Sequence, residues 1–420
     1  IEPTVPQKHA LLIDIRDINF KMDQNSSMKL FLTFVTFLIG LSSIAQTFLP
    51  QNSGVTTQLN ALNFSSPSTG IVVGNGGVIR KTSDAGLNWL ASNSGTTVDL
   101  NDVVYLTAST FIAVGELGTI LKTTNAGTSW TLVNSGTTKD LLGICAVGVT
   151  LYITGTDGTV LKSTNSGNAW TAYSTGVLLK LNKPYFFSAQ LGYVVGDAGT
   201  ILYTINGGQS WNFQSSGTTT YSLTDICFID PAKGIITGGV SASNEAILFK
   251  TTNSGSIWTD DEIPNIFLSA VDFPDASAGY AVGGSIPGNT SIILKTTNQG
   301  TSWSPVASSS SRQLGICFPN PQIGYTCGLD GTILRYAANT LGLGENREPF
   351  IQITPNPGKG VFTVSTEAGT AYTIDVFSPE GKQIVSVQHS NTIDLSAFPS
   401  GIYLVHIHSG NVDATRRLVK

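Results

Sequence analysis

Six copies of one short motif hold all six tryptophans of the chain, and their spacing restricts the fold more than any other feature. The motif is Thr/Ser-x-Asn/Asp-x-Gly-x-x-Trp. It runs Thr82-Asp84-Gly86-Trp89, Thr123-Asn125-Gly127-Trp130, Ser163-Asn165-Gly167-Trp170 and Thr204-Asn206-Gly208-Trp211. It recurs as Thr251-Asn253-Gly255-Trp258 and Thr296-Asn298-Gly300-Trp303. The tryptophans stand 41, 40, 41, 47 and 45 residues apart. A near-constant period of about 40–45 residues, with several short strands per unit, is that of propeller blades.

A second marker counts the blades. A Gly-x-x-Gly turn, or a lengthened version of it, follows an apolar strand at Gly74, Gly115, Gly155, Gly196, Gly238, Gly283 and Gly328. These are seven starts against six tryptophan motifs, and the seventh unit stops after Tyr336. The missing piece is at the other end. Phe48 to Gly54 reads F-L-P-Q-N-S-G, close to W-L-A-S-N-S-G at Trp89 to Gly95, with Phe in the Trp slot. The expected fold is all-β: a seven-bladed propeller over 46–336 whose N-terminal strand completes the last blade. Closure of this kind leaves no unpaired terminal blade. In the second repeat strands A, B, C and D are expected at Leu100–Leu106, Thr110–Val114, Thr119–Thr124 and Ser129–Val133 respectively, separated by Gly, Asn, Ser and Thr turns.

Charged residues make up 12% of the chain and the net charge is −5, without a basic stripe, so a nucleic-acid partner is not expected. Cys145, Cys227 and Cys317 share one strand slot in different blades and Cys327 replaces a Val. They read as small buried apolar residues rather than as a disulfide or metal framework.

Met28-Lys29 precedes a dozen apolar residues and then Ser43 and Ala45, at positions −3 and −1 of a signal-peptidase site. Residues 28–45 therefore read as a secretory signal peptide, with Gln46 first in the mature chain. The apolar run is too short for a stable membrane span. Residues 1–27 read as a spurious upstream extension.

Residues 337–349 lack a strand pattern and read as a linker. From 350 to 420 three segments alternate with period 2 and turn at Gly and Pro, as in a small antiparallel sandwich. Pro355-Asn356-Pro357 with Gly360, Gly381-Lys382, Gly401 with Tyr403, and Lys420 form an ordered set. The set resembles the type A C-terminal sorting domain of the type IX secretion system of Bacteroidetes. That resemblance implies an Ig-like β-sandwich, the type IX machinery as a partner, and delivery to the medium or the outer-membrane surface.

The tryptophan motif resembles the Asp-box, or BNR, repeat of sialidases. Its residues, Asp84, Asn125, Asn165, Asn206, Asn253 and Asn298 with their tryptophans, have a local role: the Asn/Asp closes a turn, Gly supplies positive φ, and Trp fills space between blades. The longer form from Val114 to Trp130 resembles the photosystem II stability and assembly factor family, which implies a seven-bladed propeller without enzymatic activity.

Residue supply bears on chemistry. The propeller region holds three arginines, Arg80, Arg312 and Arg335, and no histidine, which argues against a sialidase triad and excludes a Ser-His-Asp or His-based metal site there. His406 and His408 lie in the tail and read as a surface pair. No catalytic, cofactor or metal residues are assigned. A two-carboxylate glycosidase remains the enzymatic alternative, and a purely structural surface component is a third. The preferred expectation is a monomeric, secreted binding or adhesion protein with a protein or glycan ligand. Its site is expected on the face of the B–C and D–A loops, where the repeats stop agreeing. That face carries Asn75, Glu116, Asp157, Asp197 and Asp330, with Lys139, Asp140, Lys180, Tyr221 and Arg312. It also carries the longer loops Ser241–Glu245 and Ser285–Thr290.

Overall fold

A computed structural model describes residues 47–264, 266–286, 288–338, 351–354, 358–366, 373–378, 381–388, 391–409 and 412–420. The upstream extension, the signal peptide, Gln46, nearly all of the linker and Pro355-Asn356-Pro357 lie outside the described residues. Seven four-stranded antiparallel sheets follow one another through the first part of the chain. In the second repeat the strands are β6 (Leu100–Tyr105), β7 (Phe111–Gly115), β8 (Ile120–Thr123) and β9 (Thr131–Val133), within two residues of the expected bounds.

The first strands of the sheets touch in a closed ring. They are β2 (Leu59–Phe64), β6, β10 (Leu141–Val147), β14 (Leu181–Phe186), β18 (Ser222–Phe228), β22 (Phe267–Asp272) and β26 (Gln313–Asn320), and β26 returns to β2. This is a seven-bladed propeller with strand A of each blade innermost. Its second strands are buried on both faces, as in Phe111–Gly115, because each blade is covered by two neighbours.

The ring closes through the N-terminus. Strand β1 (Thr47–Gln51) pairs antiparallel with β28 (Ile333–Ala337), matching Phe48 to Tyr336 and Pro50 to Leu334. The Phe48 ring lies 5.2 Å from that of Tyr336 and 6.0 Å from that of Tyr280 in the sixth blade. Trp89 makes the equivalent contact one blade on, 6.3 Å from Tyr325 in the seventh blade. Phe48 thus fills the tryptophan slot of the last blade.

Each Asp-box is a closed local turn. Thr123 Oγ1 accepts the Gly127 N–H at 3.0 Å and Asn125 Oδ1 accepts the Ser129 N–H at 2.9 Å. The same pair of bonds recurs at Thr82–Gly86 with Asp84–Asn88, and at Thr296–Gly300 with Asn298–Ser302. Gly127 needs its φ of +75°, and the residue before it, Ala126, is held at +52° as well. The hydroxyl bond at the first position and this second left-handed residue are absent from the sequence expectation. Trp130 Nε1 then donates to Ser92 Oγ of the preceding blade at 3.1 Å.

The tail forms a sandwich of a three-stranded sheet, β29-β30-β33, on a four-stranded one, β32-β31-β34-β35. Here β29 is Ile351–Thr354, β30 Val361–Thr366, β33 Thr392–Asp394, β31 Thr373–Phe377, β32 Gln383–Gln388, β34 Ile402–Ser409 and β35 Val412–Val419. Its own core joins Phe362, Val364 and Ile393 to Ile374, Val376, Tyr403, Val405 and Ile407. The sequence markers sit at its turns. Gly360 has a φ of +125° and Gly381 of +82°, and the Lys382 carbonyl accepts the Ser378 N–H at 2.8 Å. Tyr403 Oη donates to the Pro399 carbonyl at 2.5 Å. Lys420 exchanges both backbone bonds with Gly401, while its Nζ donates to the Ser396 and Phe398 carbonyls.

Candidate functional site

The centre of the propeller is built by a bulge repeated in every blade. Strand A skips one pairing position near its start, between Leu59 and Ala61, Leu100 and Asp102, Leu141 and Gly143, and at the equivalent place in the other four blades. The extra residue resets the alternation. Leu100 and Val103, three apart, therefore share one core, as do Leu59 and Leu62 or Leu223 and Ile226. Asp102, which strict alternation would have placed with Leu100, instead joins Lys183 and Asp225 around a 160 Å³ channel cavity.

These channel side chains link successive blades in three tiers. In the first, Asn60, Asn101 and Asn182 donate Nδ2–H to the carbonyls of Leu100, Leu141 and Leu223, at 2.8, 2.9 and 2.8 Å, and Thr224 Oγ1 donates to Leu268 O at 3.0 Å. In the second, Asp102 Oδ2 accepts the Ile144 N–H and Asp225 Oδ2 accepts the Val271 N–H, both at 2.9 Å. In the third, Asn63 Oδ1 accepts the Tyr105 N–H at 3.3 Å and Asp272 Oδ2 the Phe318 N–H at 2.7 Å. Every acceptor or donor reached in this way belongs to the next blade.

Lys183 reaches across the channel to Asp102 Oδ2 at 2.6 Å. Burial alone would lower the Lys183 pKa, but the charges of Asp102 and Asp225 and the bond to Asp102 overcome it, and the ammonium is held protonated. Burial pushes Asp225 up to about 6 against the pull of Lys183 and two backbone N–H groups. Burial also pushes Asp272 up to about 6, against its bonds from Phe318 and Phe273. Sequence reasoning left these four residues unnamed. For Asp102, Lys183 and Asp225 the signal was charge in a strand A slot that holds Ala61, Gly143, Ala270 or Gly315 in other blades, and for Asp272 it was charge in the slot of Cys145, Cys227 and Cys317.

The residues expected to form the ligand face divide into two groups. Several are bound into turns. Asn75 Oδ1 accepts from Asn60 Nδ2 at 2.8 Å, Asp140 Oδ1 from the Leu117 N–H at 3.0 Å, and Asp197 Oδ1 from Ser222 Oγ at 2.5 Å. Asp330 Oδ2 accepts from Ser311 Oγ at 2.8 Å, Arg312 stacks 6.0 Å over the Phe267 ring, and the Tyr221 carbonyl accepts the Gly199 N–H. Burial lowers the Arg312 pKa. Others face solvent: Glu116, Lys180 and the ion pair of Lys139 with Asp157, beside the exposed apolar residues Leu117, Leu178 and Leu179. Partial desolvation, then the nearby carboxylates of Asp99 and Asp140, raise the Glu116 pKa.

The three arginines do not share a cluster of this kind. Arg80 Nη2 donates to the Gly54 carbonyl at 3.0 Å, Arg335 lies beside Tyr325, and Arg312 stacks on Phe267. The four cysteines are free thiols, with burial pushing Cys145 up to about 12 and the other three upward as well. Among the described residues there is no group of three His, Cys, Asp or Glu side chains placed to hold a metal. No helix there is long and apolar enough to cross a membrane.

A propeller with box turns outside and interblade bonds inside, followed by a sandwich, defines a two-part all-β architecture. Residues 45–183 match the family model of the photosynthesis system II assembly factor YCF48, and residues 352–420 match the secretion system C-terminal sorting domain. The chain therefore carries a YCF48-like BNR domain and a type IX sorting tail, and the tail implies secretion to the outer surface or the extracellular space. Among solved structures, YCF48 bound to a D1 peptide has a TM-score of 0.58 at 17% identity, over 71% of this chain and 98% of that one. YCF48 from Cyanidioschyzon merolae has a TM-score of 0.55 at 17% identity, over 70% and 98%. The computationally designed Ika8 protein has a TM-score of 0.51 at 12% identity, over 70% and 99%. These likenesses show the fold. No curated protein matches the chain.

Proposed function

We propose that the propeller is a non-enzymatic binding module, delivered to the cell surface or medium by its tail, and that it holds a protein or glycan ligand on the B–C/D–A face. The commitment of its acids supports binding over the glycosidase alternative. That chemistry needs two carboxylates free to act as acid and as base or nucleophile. Asp102, Asp225 and Asp272 are instead bonded to the backbone of the next blade. Asp197 and Asp330 are bonded to neighbouring side chains.

Exposed Leu117, Leu178 and Leu179 beside Glu116, Lys139 and Asp157 supply the mix of apolar anchor and polar rim that interfaces use. The similar YCF48 structure is a complex with a D1 peptide, a precedent for this architecture as a peptide holder. The test is a glycan and peptide array with the full chain, repeated with a Glu116→Ala, Asp157→Ala, Leu178→Ala variant. Retention without turnover, lost in the variant, is the expected result. Glycan cleavage, or equal binding by the variant, overturns the reading.

A further inference from the structure

The lysine near the end of strand C repeats around the propeller, and in three blades it crosses to the Asp-box turn of the next. Lys81 Nζ donates to Thr128 Oγ1 at 3.0 Å, and Lys162 Nζ to the Gly207 carbonyl at 2.9 Å. Lys122 Nζ donates to the Ser166 carbonyl and to Asn168 Oδ1, both at 2.7 Å. Lys250, at the same position of the fifth blade, breaks the pattern by pairing with Asp261 on strand D of its own blade. The crossing is made from elsewhere: Lys233, in the A–B loop, donates to Gln299 Oε1 on the sixth blade's box turn at 2.6 Å. Where the regular crossing is diverted, a groove of 540 Å³ opens between blades five and six, on the face opposite the proposed ligand face. Its size is within the range of small-molecule sites.

We propose that this groove binds a carboxylate-bearing saccharide. Lys233 and Lys250 both line it. Lys233 bonds a neutral amide and stands 3.9 Å from the Asp230 carboxylate. Lys250 is held by Asp261, whose side chain is 48% exposed, and an ion pair so open to water contributes little and can be exchanged for a ligand carboxylate. Thr252, Asn253, Thr259, Gln299 and Thr301 offer hydroxyls and amides for sugar hydroxyl groups. Ile257, 63% exposed, offers an apolar surface to a ring's C–H face.

The charge count selects within anions. Two lysines beside Asp230 and Asp261 give a nearly neutral site, suited to one carboxylate among hydroxyls rather than to a polysulfate. Apart from the two lysines, the polar side chains of the lining are all hydroxyls and amides, which match a saccharide better than the backbone of a peptide.

The experiment is titration calorimetry of the full chain with a galacturonate trimer, its neutral galactose counterpart, and a peptide with a free C-terminal carboxylate. The galacturonate is expected to bind at least tenfold more tightly than either of the others. Lys233→Ala with Lys250→Ala should weaken it tenfold or more at unchanged melting temperature. Ile257→Asp, at an exposed position of the groove lining, should weaken it similarly by repelling the carboxylate. Undiminished binding in the folded variants, equal affinity for the neutral sugar, tighter binding of the peptide, or no binding of the trimer overturns the proposal. The Glu116, Asp157, Leu178 variant should leave this binding unchanged. Loss there would move the saccharide to the opposite face, against this inference and in favour of the site proposed above.

Discussion

The outer turns and the inner channel of the propeller solve the same problem in opposite ways. Each Asp-box closes on itself: Thr123, Asn125, Gly127 and Ser129 satisfy one another within a single turn. The chemistry can therefore be copied from blade to blade. In the channel the Asn, Thr and Asp groups bond the following blade, as Asp102 does with Ile144 and Asp272 with Phe318, and Lys183 reaches back to Asp102. No two neighbouring channel slots need be alike, and Asp, Lys, Ala and Gly alternate there. The repeated box turn closes locally, while the variable charged slots of the channel bind one blade to another.

Removing the closure tests the ring most severely. Deleting residues 46–56 strips β28 of its partner and removes Phe48 from the last interblade space. The expected cost is several kcal/mol, with failure to fold as the extreme, because a sheet edge and a blade face are exposed. Chemical denaturation measures it, and a truncated propeller as stable as the full one would show that the ring does not depend on this strand.

Asp102→Ala comes next. It leaves the Ile144 N–H without its acceptor and Lys183 without its bonded partner in the channel. Losing one partner of a buried pair costs about 3–5 kcal/mol. Restoration of most of that loss by a compensating Lys183→Met would confirm that the stranded ammonium, not the lost N–H bond, dominates.

Asp272→Asn should act in the other direction. The folded Asp272 titrates at about 6, above the 3.8 of a free aspartate. The folded state therefore binds more protons between those values, so this group's contribution to stability is fully present below 3.8 and is lost as pH rises through 6. At pH 7 the substitution should stabilise by about 1–3 kcal/mol, since each tenfold change in proton affinity is worth about 1.4 kcal/mol, and an amide oxygen can still accept the Phe318 N–H. Melting temperature against pH should lose part of its rise on acidification. An unchanged profile would show that the carboxylate is better solvated than its surroundings indicate.

The smallest effect belongs to the outer turn. Asn125→Ala removes three bonds within one solvent-exposed turn, those from the Ser129 N–H and the Thr123 hydroxyl and the one to Ser129 Oγ, and should cost about 1 kcal/mol in all. It should cost the same in the Asp102→Ala background, since the turn and the channel share no partner. A double-mutant cycle that departs from additivity would mean that the two regions are coupled after all.

This contrast also explains what could be read from the chain. The box, the blade count and the closing strand were legible, because each is a short pattern whose partners lie close by or whose slot recurs six times. Phe48 could be placed from the count of seven turns against six tryptophans, the 41-residue step to Trp89 and the Asn-Ser-Gly that follows both. The channel could not. A one-residue bulge at Leu100/Asp102 breaks the period-2 rule that assigns faces, so Asp102 read as part of an ordinary apolar strand. Its partner at Ile144 is 42 residues away and depends on the ring being closed. On the rim, Asp197 and Asp330 read as ligand acids, while Ser222 and Ser311 hold them in the turns. Sequence shows a carboxylate but not whether its hydrogen bonds are already taken.

The pairing of β1 with β28 also sets an order of events. The strand at Thr47–Gln51 leaves the ribosome long before Ile333–Ala337 exists, so its partner arrives last. If the ring completes only after that arrival, both ends of the propeller must reach the same compartment before the final sheet can assemble. Until then the early strand waits with its backbone unsatisfied, and Pro50 in its middle withholds one donor from any stray partner. Partly delivered chains would then remain open at one seam, which is a state that proteases and chaperones can recognise.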